Sequence, residues 1–153
     1  MTARWRITHE DDVARIAPAR GPARMDLAVH AAWDVPAPRV EGLSRRRFRV
    51  EHARQIRQDL WRALQRTRGF VPVVEVMTDH SGEGAQGDGA VDAGAEAGAV
   101  RVMVTAGGRI DAPQAPRAAM EETVHALLSN PENRRRWRRH AARRARPRPG
   151  DAL

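Results

Sequence analysis

The side chains with the widest chemical scope here are six histidines, His9, His30, His52, His80, His125 and His140. They would serve as general bases or metal ligands, but they are scattered at no metal-ligand spacing. Carboxylates are equally dispersed. Asp11 with Asp12 and Glu121 with Glu122 are sequence neighbours whose side chains diverge on a helix, so no pair is set for acid and base work. Asp79, His80 and Ser81 hold the residue types of a hydrolase triad, yet three consecutive side chains cannot line up as a proton relay. Gly82, Gly84 and Gly87 spell G-x-G-x-x-G, but a phosphate cradle needs a helix start directly after the glycines. Asp88, Asp92 and Glu96 follow instead, with no apolar period. The chain has no cysteine, which removes disulfides and thiolate chemistry and permits a reducing compartment. The sequence therefore predicts a protein that is not an enzyme and carries no metal or cofactor.

Arginine is the residue type that remains. All 27 basic residues are arginine, against 19 acids, for a net charge of +8. An arginine guanidinium is a planar fork of donors that pairs bidentately with phosphate and stacks on bases. A GC-rich coding bias would also replace lysine by arginine, and abundant alanine and glycine fit that bias, so placement carries more than the total. Residues 1–68 hold fifteen arginines against eight acids, 69–100 hold six acids and no arginine, and 101–153 hold twelve arginines against five acids. An acidic island thus separates two basic arms.

The elements that must position these charges follow from periodicity. The firmest is a helix entered at Ser44 and running from about Phe48 to Arg68, closed by Gly69 as a left-handed cap. Ala53, Ile56, Leu60, Ala63, Leu64 and Thr67 form its apolar stripe, and Arg54, Arg57, Trp61 and Arg68 form an aromatic and basic edge beside it. Phe70 to Thr78 and Val100 to Thr105 read as an antiparallel hairpin, with Glu75 and Arg101 facing each other across it and Gly107–Gly108 as a turn beyond. A helix over 116–129 buries Met120, Val124, Leu127 and Leu128. Asn130 then caps a second helix entered at Pro131. Arg134, Arg135, Arg136, Arg138, Arg139, Arg143, Arg144 and Arg146 leave that helix almost no apolar side. Only Trp137, Ala141 and Ala145 share one, which makes Trp137 the anchor by which it docks.

The fold class expected is α+β, a small antiparallel hairpin or sheet packed by helices in the order β?-α-β-β-α-α. Residues 1–43 form an N-terminal segment, partly disordered, with a short helix over 9–17 and a strand over 25–33. Residues 44–130 form the α-β-β-α core, and 131–153 the arginine-rich helix and tail. A linker is expected over 36–42 and a disordered low-complexity acidic loop over 79–99. No run approaches a membrane span and Met1 to Glu10 lacks a secretory signal's apolar core, which predicts a cytoplasmic protein with no membrane partner. The function expected is a non-catalytic accessory protein that binds the backbone of RNA or DNA. Its site would be Arg134, Arg135, Arg136, Trp137, Arg138, Arg139, Arg143, Arg144 and Arg146, joined by Arg54, Arg57 and Trp61. The alternative is an adaptor or assembly subunit that docks an acidic protein surface through the same arginines.

Overall fold

A computed structural model describes residues 4–10, 12–22, 24–36, 44–79 and 99–146. Eight elements follow one another: strands Trp5–Glu10 (β1), Val13–Pro18 (β2) and Leu27–Pro36 (β3), helix Arg45–Leu64 (α1), strands Phe70–Asp79 (β4) and Ala99–Ile110 (β5), and helices Arg117–Ser129 (α2) and Pro131–Arg144 (α3). The strands form one antiparallel sheet in the order β1-β2-β4-β5-β3. The fold is α+β, as expected. The linker over 36–42, the acidic segment over 79–99 and the tail beyond 146 fall almost wholly outside the described residues.

Alternation in the strands sorts the sheet into two faces. Ile16, Val29, Trp33, Val74, Val76, Val102, Val104 and Ala106 are buried and meet Ile56, Leu60, Met120, Val124 and Leu128 from the helices in one hydrophobic cluster. The opposite face carries His30, Ala32, Glu75, Met77, Met103 and Thr105, all at least partly exposed. The helices therefore cover one face only.

Four sequence expectations change. The described residues of 9–17 are not helical but belong to the β1–β2 hairpin, with Ile7 opposite Ile16 and Asp12 at φ 62°. Ala14 and Ile16 alternate with Val13 and Arg15, a period of two that four residues display too briefly to outweigh Thr8 followed three residues later by Asp11, the pattern of a capped helix start that suggested the helix. The deciding factor is tertiary: β2 pairs with β4, so the hairpin joins an existing sheet edge. Gly107 and Gly108 do not turn the chain. They sit inside β5 between β3 and β4, where Leu27 and Val71 approach closely. The register also sets Glu75 opposite Thr105 and Arg101 opposite Asp79, so Glu75 pairs with Arg15 at 3.2 Å and Arg101 with Asp34 at 3.7 Å. Finally, α1 ends at Leu64, and Gly69, at φ 75°, turns the chain into β4 instead of capping the helix.

Candidate nucleic-acid interface

The start of α3 is built as its sequence dictates. Asn130 caps it, its side-chain oxygen accepting from Glu132 N at 2.9 Å, and Pro131 takes the first position, where a missing N–H costs nothing. Trp137, Ala141 and Ala145 then form the helix's buried side. Trp137 is fully buried against Trp33, with ring centroids 6.0 Å apart, and its Nε1–H donates to Asp59 of α1 at 2.7 Å. That donation satisfies the one polar atom the indole brings into the core.

Asp59 collects more than the indole. Arg136 forks onto its carboxylate, Nη2 donating to Oδ2 and Nη1 to Oδ1, while Arg62 lies 3.5 Å from Oδ1. Asn133 accepts from Arg136 at 3.1 Å and so holds the fork in place. Arg134 is equally engaged. Its guanidinium lies 4.6 Å from the Trp33 ring centroid and its Nε donates to the Leu128 carbonyl at 2.6 Å. With Asn133 Nδ2 on the Leu127 carbonyl, it satisfies acceptors that the end of α2 would otherwise leave open. Trp137 is thus the docking anchor its spacing implied, and Arg134 and Arg136, also counted among the candidate ligand contacts, help fasten α3 to the rest of the molecule.

The remaining arginines of this helix and its end separate cleanly. Arg135, Arg139 and Arg143 are exposed and recur at steps of four, which makes them one outward ridge, and Arg146 is exposed just beyond the helix end. Arg144 turns toward α1. Arg138 is half-buried beside His52. None of these six has a carboxylate partner among the described residues. On α1, Arg54 is exposed and bonds Glu51 at 3.3 Å, and Trp61 is 44% exposed on the same outward side. Arg57 departs from that edge, because its guanidinium lies 4.4 Å from the centroid of the Trp5 ring on β1.

Sequence reasoning missed Arg46 and Arg47. A groove of about 600 Å³ runs between the start of α1, the end of α3 and β1, lined by Arg46, Arg47, Arg54 and Arg144 with Ser44, Glu51, Ile7 and Val50. A signal for it was present. Ser44 caps α1, yet three arginines and no acid follow in the first turn, the end where the helix dipole disfavours cations and favours an anion.

Beneath this layer His52 is fully buried, its Nδ1–H donating to the Phe48 carbonyl at 3.1 Å and its Nε2 without a partner among the described residues. Burial, with Arg138 nearby, pushes its pKa down to about 4. An unfolded chain takes a proton on this histidine below about pH 6.5, whereas the folded one resists until about pH 4. The stability it contributes is therefore complete above pH 6.5 and is lost as pH falls toward 4, by about 3 kcal/mol at most. Urea midpoints at pH 7 and pH 4.5 are expected to differ accordingly, and His52→Leu is expected to shrink the difference.

No cluster of three or more metal-ligating side chains occurs among the described residues, and no helix there is long and apolar enough to cross a membrane. Comparison with protein-family models, with curated proteins and with solved structures gives no match.

Proposed function

We propose that the protein is a non-catalytic nucleic-acid-binding protein that holds the phosphate backbone on the outward arginines of α1 and α3. One observation carries this reading. The 20 residues of α1 and the 14 of α3 hold fourteen of the chain's 27 arginines and three of its 19 acids. The rest of the chain has thirteen arginines against sixteen acids. A coding bias would act on every segment alike, so it does not account for that concentration. Pairing separates the arginines further. Arg15, Arg24, Arg101 and Arg109 of the sheet and its loops meet carboxylates, as do Arg49, Arg54, Arg62 and Arg136 of the helices. Arg46, Arg47, Arg135, Arg139, Arg143, Arg144 and Arg146 meet none among the described residues.

A surface of this kind releases counterions when it neutralises phosphates, so its affinity depends steeply on salt and little on sequence. Neither helix end is aimed into a groove by a second reading element, which favours backbone contact over base-edge readout. The test is anisotropy of labelled single-stranded and duplex oligonucleotides across a salt series, beside co-purification with and without nuclease. Binding at low salt that falls steeply with added salt supports the proposal. A partner that stays attached after nuclease treatment, with no oligonucleotide binding, would favour an acidic protein surface and overturn it.

A further inference from the structure

Three of the four tryptophans are occupied within the fold. Trp5 lies under Arg57, Trp33 lies against Trp137 and under Arg134, and Trp137 is buried with its N–H on Asp59. Trp61 is 44% exposed. It stands two helical turns beyond Arg54, which itself stands two turns beyond Arg47, so the three share the outward side of α1 along about 21 Å of helix. The arginine at its own first step back, Arg57, is turned away onto Trp5 and leaves the indole uncovered by it. At the far end of the line, Arg47 and Arg54 reach the groove that Arg46 and Arg144 also line. The two carboxylates of α1 do not repel a polyanion there with full charge, since Glu51 is paired with Arg54, and Asp59 with Arg62 and Arg136.

A row of cations that ends on an accessible indole combines the two features that single-strand binders use: charge that follows the backbone and an aromatic plane on which an unpaired base stacks. A duplex keeps its bases stacked on each other and gives Trp61 nothing to meet. We propose that this surface selects single-stranded nucleic acid, with the backbone following Arg47 and Arg54 from the groove and one base stacked on Trp61. The inference rests on the phosphate-binding role given above and adds to it the class of strand.

The experiment compares wild type, Trp61→Ala and Trp61→Phe for binding to a mixed-sequence single-stranded oligonucleotide and to the duplex it forms with its complement, with circular dichroism confirming that each variant folds. Wild type is expected to prefer the single strand. Trp61→Ala is expected to weaken single-strand binding by roughly 5- to 150-fold, the range for one stacked base, and duplex binding by less than about 2-fold, with Trp61→Phe in between. Equal affinity of wild type and Trp61→Ala for the single strand, or equal losses on both ligands, would overturn the strand preference while leaving the phosphate contacts standing. Absence of binding to either ligand by wild type would instead overturn the nucleic-acid role itself.

Discussion

Replacing Trp137 with alanine is expected to destabilise the protein by about 3–5 kcal/mol, the usual cost of truncating a buried tryptophan or phenylalanine. In a chain of 153 residues that corresponds to a melting temperature lower by about 6–20 °C. The indole is fully buried, it packs on Trp33, and it supplies the N–H that Asp59 accepts. Alanine would leave a cavity between α1 and α3 and one carboxylate oxygen with fewer donors than it has now. Arg136 would still hold Asp59, so the loss should appear first as fraying of α3 and only then as global unfolding. Thermal melts followed by circular dichroism, with amide exchange on α3, measure both. A melting temperature within about 2 °C of wild type would show that the helix does not depend on this anchor.

Gly107→Ala is expected to do more damage still. A Cβ at this position would lie 1.8 Å from the Leu27 carbonyl oxygen, and one at Gly108 would lie 2.0 Å from the Val71 carbonyl oxygen. Both contacts are with the backbone of neighbouring strands, which cannot rotate aside as a flexible side chain would. β5 is the strand that joins β3 to β4, so a forced displacement there parts the sheet into two pieces. The cost should exceed about 4 kcal/mol, the range reserved for named structural failures, and consume much of a typical domain's 5–15 kcal/mol. Poor soluble yield, or a urea midpoint far below wild type, is the expected outcome. A well-folded Gly107→Ala protein would contradict the close approach of Leu27 to β5.

Much of the helical layer was legible in the sequence because its signals are local. The first long helix begins near Ser44 as expected, Asn130 caps the helix it was expected to cap, Pro131 opens α3, and Trp137, Ala141 and Ala145 are the buried side that their spacing of four implied. The strand around Met25 to Trp33 also appears, extended to Pro36. What failed were features decided at a distance. A six-residue strand such as β2 is recognisable only once β4 lies beside it, and glycines that look like a turn become a strand when two neighbours press on them. The candidate site divides in the same way. The sequence showed only that arginines fill nearly the whole circumference of this helix, and the packing of α3 on α1 is what separates the exposed Arg135, Arg139 and Arg143 from Arg134 and Arg136, which are committed to Trp33, Leu128 and Asp59. Arg46 and Arg47 joined the site for the converse reason, since the end of α3 folds back beside the start of α1.

If the outward arginines neutralise phosphates, changing Arg135, Arg139, Arg143, Arg144 and Arg146 together to glutamine, which leaves Trp137, Arg134 and Arg136 in place, removes those contacts. The slope of log affinity against log salt for a single-stranded oligonucleotide is then compared with wild type. Loss of five phosphate contacts is expected to flatten that slope by about 3–4, with an unchanged melting temperature to within a few degrees. Binding with the same affinity and the same salt dependence as wild type would show that these arginines do not hold phosphates.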